Sequence, residues 1–297
     1  MSVAIQVAII MVVLLVVMLA MGVPIGVSIG LSSAVSMIAM LPGHVAFATS
    51  AQRLFAGSNS FSLIAIPFFI LAGNIMNNGG IAVRLVNCAK VLSGRMTGAL
   101  AQTNVVANML FGSISGSGAA AAAAIGGTMG PLEKEEGYNP NYVAAVNVAS
   151  APVGMLIPPS NTMIVFSTVA GSVSISALFM VGYIPGIRWG AADMILAGIT
   201  AKKMGYTSEE KVTVKIALKT FWQAVPSLLL IVIVIGGILG GVFTATEGSA
   251  IAVVYAVILS LIYREIKVTD IPRIVAESAK MTGTITFMIV LSSIMSW

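Results

Sequence analysis

The sequence predicts an all-α polytopic membrane protein. Of its 297 residues, 58% are hydrophobic and only 8% are charged, whereas about 25% of the residues in an average soluble domain are charged. Apolar runs of about 20 residues, the length that crosses the hydrocarbon layer of a bilayer, recur along the chain. Most Lys and Arg residues lie between these runs. Composition alone therefore excludes a water-soluble globule.

The spans follow from the length of each apolar run and from the residues that interrupt it. Gly22 and Pro24 divide the first apolar stretch, which is too long for the core of a signal peptide. A further run begins at residue 281 and continues to residue 297. The predicted spans are 3–21, 23–41, 54–77, 141–171, 174–200, 222–243 and 245–263.

Residues 97–130 are apolar, but the stretch Phe111–Gly118 divides them into two pieces that are barely long enough to cross. If the two pieces form a hairpin, every Lys and Arg except Arg53 and Arg188 falls on one side of the membrane. Lys and Arg collect on the cytoplasmic side. Charge placement therefore favours a re-entrant helical hairpin over a single crossing, with a periplasmic N-terminus.

Weak internal similarities indicate two structural repeats. Residues 79–95 carry apolar side chains at helical spacing with cations between them, as in an arm helix that lies in the membrane interface. Residues 270–280 look like a second copy of this arm, and the run after Phe55 resembles the run after Phe243. Many secondary transporters are built from such repeats.

We therefore expect three regions. Residues 1–200 form a first repeat with scaffold spans, the arm helix 79–95, the hairpin 97–130 and a broken helix at 141–171. Residues 201–221 form a basic cytoplasmic loop, which fixes orientation or contacts anionic membrane lipid. Residues 222–297 begin a second repeat whose hairpin would start near Met281 and remain incomplete.

Serine and glycine residues at membrane depth are candidate binding groups. Ser113, Ser115, Gly116 and Ser117 lie where the two half-helices meet. Unpaired backbone groups are costly in hydrocarbon, so this tip must be buried in protein or face a wet cavity. Hydroxyl and carbonyl oxygens suit Na⁺, and helix N-termini favour an anion. Close packing of small residues is the alternative, which we favour for Ala119–Ala124.

A second break is expected at Pro158 and Pro159, in the middle of an apolar run. Proline has no N–H group and clashes with the preceding turn, so the helix must open and free carbonyl groups from Gly154 onward. Ser160, Asn161 and Thr162 add side-chain oxygens beside them. A plain proline kink is the alternative. Two breaks near the membrane middle favour one shared site.

Isolated charges have simpler interpretations. Arg188 lies inside a predicted span and is expected to extend its side chain toward the interface, with a substrate role as the alternative. Glu247 is expected to cap a helix or to contact another protein. The segment Glu133–Glu136 is expected to be a solvated turn.

Enzyme chemistry and nucleic-acid binding are not expected. Cys88 is the only cysteine and His44 the only histidine, so neither a metal cluster nor a base for a serine nucleophile is available. The net charge of +5 is not accompanied by an RNA-binding motif. The chain therefore has no predicted catalytic residue.

Five segments together resemble the large membrane subunit of tripartite ATP-independent periplasmic (TRAP) transporters, and the resemblance extends over essentially the whole chain. They are Pro67–Gly73, Phe111–Ser117, Gly154–Ser160, Ile184–Gly186 and Phe243–Glu247. The sequence departs from the family pattern at Ala245, where proline is usual, and in the polar residues after the double proline. Family members also continue well beyond this length, so the chain as given should not transport on its own.

The resemblance implies an inverted-repeat elevator-type transporter in the bacterial inner membrane, driven by Na⁺. It implies two partners, a small membrane subunit and a periplasmic solute-binding protein that delivers a carboxylate such as a sialic acid or C4-dicarboxylate. It places the first sodium site and part of the substrate site in the hairpin Ser113–Ser117 and the opened helix Gly154–Asn161. We expect Na⁺ at Ser113, Ser115, Gly154 and Asn161. The sodium and substrate site is completed by Gly116, Ser117, Pro158, Pro159 and Ser160, and by Thr162 from its side-chain oxygen. A stand-alone carrier of the same superfamily and a purely structural membrane subunit are the alternatives.

Overall fold

The regular structure of the chain is entirely helical in the described residues, which are 3–170, 173–206 and 214–296 of a computed structural model. The predicted all-α fold is therefore confirmed. The α-helices in these ranges are α1 (Val3–Ala20), α2 (Ile25–Ile38), α3 (Gly43–Ser58), α4 (Ala65–Asn78), α5 (Ile81–Ser93), α6 (Ala99–Ser115), α7 (Gly118–Glu135), α8 (Pro140–Ser150), α9 (Asn161–Ala170), α10 (Ile175–Lys203), α11 (Val214–Leu239), α12 (Ala245–Tyr263) and α13 (Ile271–Met295). Short 3₁₀ segments lie at Phe61–Ile64, Ala151–Met155 and Val268–Asp270.

Several helices have the length and surface of membrane spans. Large aliphatic side chains on α1 are exposed, with Val12 at 53% and Val16 at 57%. Such a surface is suited to lipid and not to water. Among the described residues, four stretches are long and apolar enough to cross a bilayer: Phe61–Asn78, Lys215–Leu239, Ala245–Tyr263 and Val268–Met295. The chain is therefore a multi-pass membrane protein.

The first of two compact units comprises Met1–Leu63 and Ala279–Trp297. Within it, α2 buries a face of small residues, whereas its larger aliphatic residues such as Leu31 are exposed. A Cβ atom on Gly26 would lie 3.4 Å from the Cα atom of Met288, so the backbones of α2 and α13 approach closely. Small residues permit such contact where two membrane helices pack.

The second unit comprises Ile64–Ser278. Its helix α6 packs against α5, α7, α8, α10 and the 3₁₀ segment Ala151–Met155. Nearly all of the α6 residues are buried, including Gln102, Asn104 and Asn108. Because α6 has polar residues in the middle of its packed surface, these side chains must find partners within this unit.

Helix α3 differs from the prediction. The segment around His44 and Arg53 was expected to be an outer loop, but it is helical from Gly43 to Ser58. Pro42 occupies the N-cap position, and no proline or glycine lies between Gly43 and Gly57. Isolated polar residues do not end a helix, so the predicted span 54–77 instead begins after a turn at Asn59.

Helix α13 also differs from the prediction. It continues through Met281, where the second arm helix 270–280 was expected to end and a hairpin to start. In the first repeat, Gly94 and Gly98 separate α5 from α6, and Gly98 has a φ of 68° that favours glycine. The residues after Lys280, Met281, Thr282 and Gly283, repeat Met96, Thr97 and Gly98, but here they lie inside the continuous helix α13.

The predicted arm helix, hairpin and basic loop of the chain each compare differently with the structure. The predicted arm 79–95 contains the helix α5 (Ile81–Ser93), and its position in the membrane interface stays a prediction. The second helix of the predicted hairpin 97–130 continues to Glu135. Residues 207–213 of the predicted basic loop 201–221 lie outside the described residues. The two-repeat organisation and the orientation in the membrane stay predictions.

Candidate site at the hairpin tip and the broken helix

The hairpin turns at Gly116 and Ser117, as the sequence predicts. Gly116 ends α6 with a φ of 61°, a left-handed conformation that glycine adopts without steric cost. Ser117 is extended, and its hydroxyl accepts a hydrogen bond from the Ala120 N–H group at 3.3 Å to cap α7. The two half-helices therefore meet within two residues.

The predicted break in the second helix is also present. After α8 the chain forms the 3₁₀ segment Ala151–Met155, passes through a cis peptide bond between Pro158 and Pro159, and begins α9 at Asn161. The Ser160 hydroxyl donates to the Met155 carbonyl oxygen. The α-helix thus ends at Ser150, eight residues before Pro158, and the 3₁₀ segment ends at Met155, three residues before it. Neither Pro158 nor Pro159 can donate a backbone hydrogen bond that would continue the helix.

The hairpin and the broken helix are in direct backbone contact. A Cβ atom on Gly112 would lie 2.8 Å from the Cα atom of Gly154, a distance that no side chain could occupy. A Cβ atom on Gly116 would lie 2.8 Å from the backbone nitrogen of Asn161. Glycine at both positions therefore allows α6 to lie against the opened segment. The sequence alone does not predict this contact of Gly112.

Asn161 and Ser115 form the centre of this contact. The Asn161 side-chain nitrogen donates to the Ser115 carbonyl oxygen at 3.4 Å, which is a long bond. Asn161 is 6% exposed, and within the described ranges its buried Oδ1 atom has no hydrogen-bond partner. The Ser115 hydroxyl has only 3.4 Å contacts with the backbone of Ser117. Two buried oxygens are therefore poorly satisfied at the same point.

Other predicted site residues surround this pair in different ways. The Ser113 hydroxyl donates to the Leu110 carbonyl oxygen of its own helix at 2.8 Å. Ser160 is fully buried and also caps α9, whereas Thr162 is exposed. The structure thus brings Ser115, Gly116 and Asn161 together and leaves Thr162 on the surface.

The arrangement offers neutral oxygen ligands and oriented helix ends. α6 ends at Ser115, so its free carbonyl groups lie beside the starts of α7 and α9. Helix C-termini favour cations and helix N-termini favour anions. The predicted site residues are all uncharged. They suit a small cation held by hydroxyl and carbonyl oxygens, with an anion close by.

Glu133 contradicts the expected solvated turn. Lys134, Glu135 and Glu136 are exposed, but Glu133 has no exposed surface. Burial raises the pKa of its carboxyl group from about 4.5 to about 7, and a hydrogen bond from Asn104 acts in the opposite direction. The signal that was missed is helical spacing, since Glu133 lies four residues after buried Met129 on the packed face of α7.

Arg188 is exposed on α10.

Glu247 caps a helix, as predicted. Thr244 and Glu247 form a capping box at the start of α12, in which the Thr244 N–H group donates to Glu247 Oε2 at 2.7 Å. In return, the Thr244 hydroxyl accepts from the Glu247 N–H group at 3.3 Å. This reciprocal arrangement satisfies two backbone donors that a helix start leaves open.

Comparison with known proteins finds one family over nearly the whole chain. Residues 12–297 match the family described as "Tripartite ATP-independent periplasmic transporter, DctM component". The chain is similar to an uncharacterized protein, YgiK, of Salmonella typhimurium, with 49% identity over 89% of the chain and 61% of the relative.

Two further relatives have functional names. The C4-dicarboxylate TRAP transporter large permease protein DctM of Rhodobacter capsulatus is 36% identical over 81% of the chain and 58% of its own length. The sialic acid TRAP transporter large permease protein SiaM of Vibrio cholerae is 34% identical over 84% of the chain and 58% of its own length. The chain thus spans about six tenths of the length of these relatives.

Proposed function

This chain belongs to the DctM family of TRAP transporter large permeases, and on that premise we propose that it serves sodium-coupled uptake of a small carboxylate. The family resemblance predicted from five sequence segments is confirmed. The family is a transporter permease subunit and not an enzyme, as expected. Sodium coupling, the substrate and the partners are part of the proposal.

The contact between Ser115 and Asn161 carries the proposal for sodium. Their side chains come from segments 46 residues apart and leave an unpaired buried oxygen, Asn161 Oδ1. A buried acceptor without a partner costs about 1–3 kcal/mol, so a ligand that supplies positive charge there is favoured. Opened helices commonly coordinate Na⁺ through carbonyl oxygens. Na⁺ at this point would join the hairpin tip to the broken helix.

The two helix starts support an anionic substrate beside the ion. α7 begins after Ser117 and α9 begins at Asn161, so their positive ends lie close to the same contact. Relatives are named for transport of C4-dicarboxylates and sialic acid, both of which carry carboxylate groups. A carboxylate whose charge is offset by Na⁺ and by these helix ends is the substrate class that we propose.

The proposed partners are a small membrane subunit and a periplasmic solute-binding protein that delivers the carboxylate. We place the complex in a bacterial inner membrane, with the N-terminus of this chain in the periplasm. Transport proceeds by alternating access of the elevator type, in which the hairpin α6–α7 and the broken helix α8–α9 move together. The direct backbone contact of Gly112 with Gly154 supports their movement as one body.

Uptake into proteoliposomes tests the proposal. The full gene product that contains this sequence is reconstituted with its small membrane subunit, with and without the binding protein, and uptake of labelled carboxylates is measured in a Na⁺ gradient. Uptake that needs both Na⁺ and the binding protein, and that is lost in folded Ser115→Ala, supports it. Uptake without the binding protein indicates a stand-alone carrier, and uptake without Na⁺ contradicts the ion site.

A further inference from the structure

A buried carboxyl group lies near the end of the hairpin, away from the tip. Glu133 is in the last turn of α7 and has 0% exposure. Its Oε1 atom accepts a hydrogen bond from the Asn104 side-chain nitrogen at 3.3 Å. Its Oε2 atom is buried and has no hydrogen-bond partner among the residues that the structure describes. An ionised carboxylate in this place would lack most of the donors that it needs.

Glu133 is the first member of a row of polar side chains, which we call the amide row. Asn104 accepts from the Asn108 side-chain nitrogen at 2.9 Å. Asn108 in turn lies 3.0 Å from Asn147 Oδ1 and 2.8 Å from the Ser150 hydroxyl. The amide row therefore connects α7 and α6 with the end of α8, directly before the helix opens.

The amide row has a second oxygen without a partner. Asn108 has 0% exposure, and its buried Oδ1 atom has no partner in the described part of the chain. A protonated carboxyl group is a donor and needs an acceptor, whereas an ionised one would add a further unpaired acceptor. The amide row therefore contains more hydrogen-bond acceptors than donors. A proton on Glu133 turns one of these acceptors into a donor.

The helix ends near Glu133 also disfavour a negative charge. α7 ends at Glu135, and the Tyr138 N–H group donates to the Glu133 carbonyl oxygen at 2.9 Å across the closing turn. The C-terminal end of a helix carries partial negative charge. A carboxylate two residues before that end is destabilised both by the helix and by burial.

The other titratable groups near α7 are few. Among the elements packed against it, α4, α6 and the segment Ala151–Met155 contain none, and α8 contains Tyr142. The arm helix α5 contains Arg84, Cys88 and Lys90, and the turn after α7 contains Tyr138. Beside Glu133 in the sequence, Lys134, Glu135 and Glu136 are exposed, and Tyr206 stacks on Tyr138 with 4.1 Å between the ring centroids. Among the elements packed against α7, α5 alone contains cations, so a test must include Lys90.

We propose that Glu133 is a proton-binding site of the hairpin, which holds a proton while α6, α7 and α8 are packed together. Loss of this proton places an unpaired charge in the amide row and weakens the contact between the hairpin and α8. The backbone carbonyl oxygen of Asn108 lies 2.8 Å from where a Cβ atom on Gly154 would be. The amide row is therefore next to the opened helix. Proton occupancy at Glu133 therefore regulates the packing of the helix break.

Infrared spectroscopy of the purified full-length protein tests proton binding without Na⁺, substrate or partners. A titration from about pH 5 to about pH 9 covers the ordinary and the raised range for a carboxyl group. We expect a carboxylic-acid band that disappears with a midpoint near 7, is absent in Glu133→Gln and persists in Glu135→Gln, whose side chain is exposed. A spectrum that is the same in wild type and Glu133→Gln throughout the titration overturns the proposal.

Two further variants keep the test decisive if Glu133→Gln does not fold. Asn104→Val removes the hydrogen bond to the carboxylate and should raise the midpoint of the titration. Lys90→Gln should leave the midpoint unchanged. An unchanged midpoint in Asn104→Val, or a large shift in Lys90→Gln, contradicts the assignment to the amide row.

A transport measurement then tests regulation and rests on the proposed function. In proteoliposomes, uptake by wild type should decline as the pH rises through 7, while uptake by Glu133→Gln stays level. Glu135→Gln should follow wild type. Parallel pH profiles of wild type and Glu133→Gln contradict regulation, and an absence of uptake in all proteins contradicts the proposed function but not the infrared result.

Discussion

The Asn161 side-chain nitrogen lies 3.4 Å from the Ser115 carbonyl oxygen, so the first residue of α9 contacts the last residue of α6. Both residues are next to a helix break, at Gly116 in one case and Pro159 in the other. Each break frees polar groups that its own helix cannot satisfy. The contact therefore concentrates the unused hydrogen-bonding capacity of two helices at one point.

The close backbone contact between the hairpin and the broken helix predicts that two glycine variants differ in stability. Gly112→Ala should lower stability by about 1–3 kcal/mol, because the added methyl group overlaps the Gly154 backbone. Gly127→Ala is the matched control in the same hairpin, since a Cβ atom there meets nothing within 4 Å. It should be neutral or stabilising, by up to about 1 kcal/mol. Thermal unfolding of both variants in detergent measures the difference, and equal melting temperatures contradict the contact.

The positions of both helix breaks could be predicted because they depend on the backbone of single residues. Gly116 adopts a positive φ, and Pro158 and Pro159 cannot continue a helix. These constraints act wherever the residues occur in the fold. The same reasoning predicted the cap at Glu247, which depends on a contact between residues three positions apart.

The contacts between distant segments could not be predicted in this way. The approach of Gly112 to Gly154 depends on how α6 packs on the opened helix, and no local rule sets that distance. The burial of Glu133 likewise depends on the helices that pack against α7, including α6, which supplies Asn104, whereas Lys134, Glu135 and Glu136 are exposed. Helical spacing from Met129 was the one local signal, and the charged sequence around it favoured a solvated turn.

Burial of Glu133 predicts a pH dependence of stability. Its pKa is raised in the folded protein from about 4.5 to about 7, so the folded state binds more protons than the unfolded state between these values. Proton binding to Glu133 therefore favours the folded state. This contribution to the free energy of unfolding is fully present below pH 4.5 and is lost as the pH rises to about 7, above which no further loss is expected. Melting temperatures of wild type and Glu133→Gln across this window measure it.

The comparison has a built-in control. Glu135→Gln removes an exposed carboxylate two residues away and should melt in parallel with wild type at every pH. If the difference between wild type and Glu133→Gln does not change between pH 4.5 and 7, Glu133 is not protonated in the folded protein.

The capping box at α12 predicts a local loss of stability in Glu247→Ala. The variant removes the acceptor for the Thr244 N–H group, and loss of such a cap costs about 0.5–2 kcal/mol. Glu277→Ala serves as the control, because Glu277 is exposed in the middle of α13. Hydrogen exchange at the first turn of α12 should accelerate in Glu247→Ala only, and unchanged exchange contradicts a stabilising role for the cap.

The central claim is that Asn161 and Ser115 hold the coupling ion, and equilibrium binding of radioactive Na⁺ to the purified full-length protein tests it most directly. We predict that Asn161→Ala weakens binding about tenfold or more, equivalent to about 1.4 kcal/mol, while Thr162→Ala binds as wild type does because that side chain is exposed. Folded Asn161→Ala with the wild-type affinity for Na⁺ would contradict the claim.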